Sequence, residues 1–166
     1  MSWLHGTLVF VAVERAGELA WAARNTSRLR RMGAVESDAA GYPAFVLLHS
    51  AWLGALALLV PAAAAPNLAL LAAFALLQLG RIWVLLTLGR FWTTRILTLD
   101  AAPLVTRGPY RWMRHPNYLV VAVEIVLLPL AFGAVAVALA FGVANLVLLG
   151  RRIRIEERAL RPRRRL

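Results

Sequence analysis

The sequence predicts an all-α integral membrane protein of about five transmembrane helices, on three observations. First, 61% of its residues are hydrophobic and the mean hydropathy is +0.68, too apolar for an ordinary soluble core. Second, two runs are almost uncharged: Tyr42 to Gly80 carries no acid or base except His49, and Ile125 to Gly150 carries none. Runs of that length read as membrane-crossing helices. Third, the basic residues, all of them arginine, flank these runs. A net charge of +11 would suit nucleic acid, but flanking arginines follow the topology rule for membrane helices, so no nucleic-acid partner is expected. Absence of cysteine excludes disulfides, thiolate metal sites and cysteine nucleophiles, and no His–carboxylate spacing argues for a metal.

The chain reads as one membrane domain, 1–166. Helix one covers 3–23. The stretch lacks a basic leader and Glu14 and Glu18 interrupt its apolar face, so it reads as a span rather than a cleavable signal. Arg24 to Arg31 reads as the start of a polar loop through Gly33, Glu36, Asp38 and Gly41. The next apolar run is too long for one crossing. Pro61, Pro66 and Asn67 break it into helices near 43–60 and 67–89. A long charged connection leads to helix four, 116–131, and Pro129 with Gly133 turns the chain into helix five, 134–160. Arginines number four in 24–31, five in 90–114 and eight from 151 onward, and the turns near 61–67 and 129–133 have none. Five spans put every basic segment on one side, so the expected topology is N-terminus outside, with C-terminus and active site cytoplasmic in a bacterial cell membrane.

Polar residues interrupt the spans at one level. Measured at 1.5 Å per residue, Glu18, His49, Arg81, Glu124 and Asn145 lie roughly 9–12 Å below the cytoplasmic helix ends, with Glu14 and Arg15 slightly deeper. Intramembrane charges face a bundle interior with partners, and Arg81 is the natural counter-ion of the acids. Two readings follow: a layer that floors a substrate cavity, or an ion-pair network that keeps the helices in register.

The chemistry concentrates in Thr106-Arg107-Gly108-Pro109-Tyr110-Arg111-Trp112-Met113-Arg114-His115-Pro116-Asn117-Tyr118. Gly108 caps a short helix and Pro109 suits its first position. His115 precedes Pro116, is pushed toward an extended conformation, and sits at a corner beside free N–H groups of helix four. The plainer alternative is a basic loop gripping lipid headgroups. A second charged stretch, Arg151 to Leu160, places Arg152 and Glu156 four apart on one helix face, with Glu157 facing elsewhere.

Gly108 to Tyr118, then an apolar hairpin, then Glu156-Glu157-Arg158-Ala159-Leu160 resembles the isoprenylcysteine carboxyl methyltransferase family over about residues 80 to 160. Upstream, Arg24-Asn25, Gly33 to Glu36, Tyr42-Pro43 and Leu48-His49 are similar to a bacterial subset associated with polyketide synthases that make alkylresorcinols and alkylpyrones. The resemblance implies an S-adenosylmethionine-dependent O-methyltransferase acting on a lipophilic small molecule, either an isoprenylcysteine-like carboxylate or an alkylresorcinol or alkylpyrone hydroxyl, in contact with membrane lipid. By position it implies that Leu104, Val105, Tyr110, His115, Pro116, Asn117, Tyr118 and Glu156 bind the cofactor. Arg152 would face the methyl acceptor, and Glu157 is a second catalytic candidate. Ala102-Pro103 departs from the family, standing where eukaryotic members carry a histidine. A sulfonium suits aromatic faces and a carboxylate, and the chain has no Gly-x-Gly turn of the soluble methyltransferase kind. A carboxylate acceptor needs only a positioning cation, whereas a phenol needs a base, for which His115, Glu157 and the polar layer all remain open. The alternatives are phospholipid N-methylation and a non-enzymatic membrane scaffold.

Overall fold

A computed structural model describes residues 2–100 and 102–162. Helix α1 runs Trp3–Arg31, α2 Tyr42–Leu59, α3 Leu68–Leu88, α4 Pro116–Ala131 and α5 Val135–Leu160. Two short 3-10 turns, Gly89–Phe91 and Gly108–Arg111, and a two-strand ribbon of β1 (Val35–Glu36) and β2 (Leu97–Thr98) complete the chain. Helix α2, helix α3 with its 3-10 extension, and α5 are each long and apolar enough to cross a membrane; α4, at 16 residues, is shorter. Helix α1 is long, 29 residues, but carries Glu14, Arg15 and Glu18 along its length. The protein is an all-α membrane protein.

Helix α1 does not stop at Ala23. It continues through Arg24 to Arg31 because this stretch acquires tertiary partners: Asn25 Nδ2 donates to the carbonyls of Gly89 at 3.0 Å and Trp92 at 2.8 Å, and Leu29 is buried. Arg28, Arg30 and Arg31 in the last turn also oppose the negative end of the helix dipole. Gly33, with φ of 91°, then turns the chain out of the helix.

The ribbon was not legible as strand. Val35 pairs with Thr98 and Glu36 with Leu97, antiparallel. It ties the segment after α1 to the connection before α4, and charges reinforce it. Glu36 bonds Arg95 at 2.7 Å and also Arg30, and Asp38 takes both Nη1 and Nη2 of Arg151 at 3.0 and 2.9 Å. The 3-10 turn at Gly108 lies hard against α3. A Cβ on Gly108 would meet Thr87 Oγ1 at 2.6 Å, and its φ of +56° also favours glycine.

Leu4 and Val11 of α1, Trp52 and Leu56 of α2, Phe74 of α3, and Ile125 and Leu128 of α4 form the main core. Trp52 Nε1 donates to the Ile125 carbonyl at 3.1 Å, so even the indole's one donor is satisfied. Outward leucines such as Leu47, Leu58 and Leu86 are left exposed, as a lipid-facing surface requires.

The polar layer is a closed ion-pair network across α1, α3 and α4. Arg81 donates from Nε and Nη2 to the two oxygens of Glu18 at 2.5 and 2.6 Å, and from Nη1 to Glu124 at 3.1 Å. Arg15 bridges the same two acids at 2.6 Å each and also reaches Glu14 at 3.3 Å. Asn145 lies apart from it: fully buried in α5, neither of its amide atoms has a hydrogen-bond partner among the described residues. Removing one partner from a buried pair leaves an uncompensated charge, which costs about 3–5 kcal/mol. Arg81→Leu should therefore lower the thermal midpoint of the detergent-solubilised protein by an amount equivalent to several kcal/mol. Arg154→Leu, at an exposed position, should stay within about 0.5 kcal/mol of the parent.

Candidate functional site

The connection from α3 to α4 and the last turns of α5 meet at His115. The residue caps α4 with φ −130° and ψ 57°, outside the helical region that the following proline disfavours but short of the fully extended conformation expected. Its ring is held between two carboxylates: Nε2 lies 2.8 Å from Glu157 Oε1, and Nδ1 lies 3.3 Å from Glu156 Oε2. Glu157 does not face elsewhere. The imidazole is wide enough to span two consecutive α5 residues, and Arg114 Nη1 approaches Glu157 from outside at 3.6 Å. The Glu156 carboxylate, against the opposing effect of burial, and then Glu157 raise the His115 pKa above the usual imidazole value. Tyr118 stacks on the imidazole at 5.3 Å between centroids.

The first turn of α4 satisfies part of its own backbone at this corner. Tyr118 and Leu119 both donate to the His115 carbonyl, at 3.1 and 3.3 Å.

Arg152 is buried beside this cluster. Nε donates to the Tyr118 hydroxyl at 3.0 Å and Nη2 to the Thr94 carbonyl at 2.7 Å. Its guanidinium carbon lies 5.0 Å over the Phe45 ring. The expected i,i+4 relation to Glu156 is therefore not where its hydrogen bonds go. Nη1 makes none among the described residues.

One cavity of about 510 Å³ joins these groups, a volume ordinary for a small-molecule site. Tyr110, His115, Asn117, Tyr118, Arg152 and Glu156 line it, and Leu104 and Val105 form part of the wall. Pro116 and Glu157 lie behind that lining, Pro116 buried under the corner and Glu157 against the far side of His115. Of the polar layer, Glu18, His49 and Arg81 reach the cavity together with Arg15, while Glu124 and Asn145 are buried and do not line it. The network thus keeps the helices in register and also forms the polar end of the cavity. Burial and the Glu156 charge push the Tyr110 phenol up, so it stays an un-ionised donor.

Sequence reasoning missed Phe45 and Thr94 as wall residues, and placed Arg15 only in the polar layer. Tyr42, Phe45 and His49 recur at i, i+3 and i+7 and so share one face of α2, a signal that was present but read only as span. Thr94 contributes a backbone carbonyl, which no side-chain pattern reveals.

Apolar helices around a cavity edged by arginine, histidine and carboxylate define an integral membrane protein with a polar-edged cavity among its helices. Residues 68–162, from α3 to just past α5, match the model of the isoprenylcysteine carboxyl methyltransferase family. The chain is also similar to a protein of Bacillus subtilis (strain 168) called "Uncharacterized protein YpbQ", with 37% identity over 164 residues, 96% of each chain. No solved structure matches. The chain belongs to the isoprenylcysteine carboxyl methyltransferase family, whose members are membrane methyltransferases.

A raised imidazole pKa gives a signed expectation. The pairing of His115 stabilises the fold below the usual imidazole value, and that contribution disappears as pH rises through the folded-state pKa. Glu157→Gln removes one of the two carboxylates, so the His115 ring resonance in an NMR titration should move at lower pH than in the parent, with Tyr118 stacking retained.

Proposed function

We propose that this protein transfers the methyl group of S-adenosylmethionine to an oxygen of a lipophilic small molecule, at a site on the cytoplasmic side of the membrane. The observation that carries the reading is the shared cavity of His115, Glu156 and Arg152, drawn from the α3–α4 connection and α5. The donor set fits the cofactor. Asn117 Oδ1 is a buried acceptor with no hydrogen-bond partner among the described residues, and the buried carboxylate of Glu156 has His115 Nδ1 at 3.3 Å from Oε2. A buried acceptor left unpaired is costly, and an ammonium or other cationic group supplies the donor that Asn117 lacks beside a carboxylate that favours positive charge. Tyr110 offers an aromatic face to a sulfonium.

S-adenosylmethionine supplies an electrophilic methyl on a positively charged sulfur. The rest of the work belongs to the chain. Leu104 and Val105 wall off water, His115 and Asn117 fix the α4 corner, and Glu156 neutralises positive charge. Glu157 acts on this geometry as a positioning residue for His115 rather than as a group that touches the reactants. Arg152, anchored by Tyr118 and Thr94, keeps Nη1 for the acceptor oxygen. Methyl transfer is an in-line displacement, so alignment by fixed groups supplies most of the acceleration.

The acceptor's class follows from the walls. Leu19 of α1 and Val46 of α2 line the cavity and are both exposed apolar side chains. A long apolar tail could lie between these helices in lipid while its polar head stays inside. Flanking arginines support the cytoplasmic side.

Isothermal calorimetry with S-adenosylhomocysteine should give saturable binding by the purified protein. Glu156→Gln should weaken that binding about tenfold, as loss of a charged hydrogen bond does. Arg152→Ala should keep it yet reduce methyl transfer to a lipophilic acceptor at least about a hundredfold. Unaltered turnover in the Arg152 variant would remove its assigned role.

A further inference from the structure

The polar end of the cavity holds a group that the cofactor reading leaves unused. His49 lies on α2 one turn beyond Phe45, the ring against which Arg152 stacks, and both His49 and Arg152 line the cavity. The two residues on α2 are four apart, so they share a face and sit about 6 Å apart along the axis. His49 Nδ1 lies 2.8 Å from the Phe45 carbonyl. A carbonyl oxygen only accepts, so Nδ1 carries the proton and Nε2 of the neutral ring has a lone pair. Nε2 makes no hydrogen bond among the described residues. The charges that act on the ring are Glu124, from α4, and Arg15, from α1, both held in the ion-pair network. Its tautomer is therefore set by one helix while its electrostatic surroundings are set by two others.

At the other end, the side-on fork of Arg152, Nε with Nη2, is already taken by Tyr118 and Thr94. That is one of the two edges with which guanidinium grips a carboxylate bidentately. What the cavity offers an acceptor is the remaining Nη1 edge of a cation and, on the α2 wall, one basic ring nitrogen. A basic nitrogen is of use to an uncharged hydroxyl, which must lose a proton, and not to a carboxylate, which is already ionised.

We propose that His49 Nε2 is the proton acceptor for a phenolic or enolic hydroxyl of an apolar molecule seated between Arg152 and the ion-pair layer. The inference rests on the methyltransferase reading above and deepens it. In the step, the hydroxyl proton passes to Nε2 and the oxygen's electron pair forms the new C–O bond to the methyl carbon. The S–CH3 bond breaks with its pair remaining on sulfur, so the sulfonium becomes a neutral thioether. The proton then leaves the imidazolium for solvent. Nε2 is fitted to this because Nδ1–H stays on the Phe45 carbonyl throughout, which spares the ring any reorientation.

The test uses the full-length protein in lipid nanodiscs with two probes, a pentadecyl-substituted phenol and N-acetyl-farnesylcysteine. The parent should methylate the phenol, with a rate that falls as pH drops and the ring protonates. His49→Gln keeps a hydrogen-bonding side chain but no titratable nitrogen, and should lose about a hundredfold or more of phenol turnover. Its binding of S-adenosylhomocysteine should remain unchanged, which also shows that it has folded. His49→Gly should recover phenol turnover when imidazole is added. Independently of turnover, a nonyl-substituted nitrophenol bound without cofactor should show its ionised absorption band in the parent at lower pH than in His49→Gln. Equal phenol rates, or the same pH profile, in parent and His49→Gln would overturn the assignment. So would methylation confined to the farnesylcysteine carboxylate. If the parent itself failed to bind S-adenosylhomocysteine, the methyltransferase reading would fall first and take this inference with it.

Discussion

A charge placed among apolar helices has to find its counter-charge, and the rest of this structure is arranged around that requirement. Glu18, Glu124, Arg15 and Arg81 come from three helices and satisfy one another almost completely. Such a network adds little net stability over well-packed apolar side chains, because desolvation consumes most of the Coulombic gain. Its value lies in exclusion. Any rotation or slip of α1, α3 or α4 would strand a charge in a medium that cannot solvate it, so one register is selected sharply over its neighbours.

That register has consequences at the other end of the cavity. With α3 and α4 held, the connection between them must close over a short span, and the 3-10 turn at Gly108 comes down on Thr87. His115 is then delivered to the end of α5, where Glu156 and Glu157 meet it. The ribbon of β1 and β2 and the Asp38–Arg151 pair draw the remaining basic segments to the same place.

The membrane also divides the chemistry. On the methyltransferase reading proposed above, a water-soluble and a lipid-soluble reactant would approach from different phases, and a cavity that runs from the arginine-rich end to the polar layer would let both reach one point. Arg152 stands where the two regions join, bonded to Tyr118 of α4 and to the backbone of the connection. A side chain so tethered gains orientation at the cost of reach. The lining from α2 is mixed, with Phe45, Val46 and Leu53 beside Tyr42, His49 and Ser50, and on the reading proposed above it would be the part that distinguishes one acceptor from another.

Much of this was written in the linear chain. The uncharged runs declared the helices, the arginines declared the sidedness expected of them, and the Arg-His-Pro-x-Tyr corner with its later Glu-Glu pair marked the family. These features are legible because they depend on local composition and on chemistry confined to neighbouring residues. Other features were decided only by folding. Arg24 to Arg31 became helix because Asn25 found two carbonyls more than sixty residues away. Glu157 came to share His115 with Glu156, Asn145 was packed apart from the charges at its own depth, and the Phe45 ring was placed under Arg152. Each of these depends on which helix lies beside which. Periodicity reports the face a residue occupies, but the partner that face meets is set by the packing of the whole bundle.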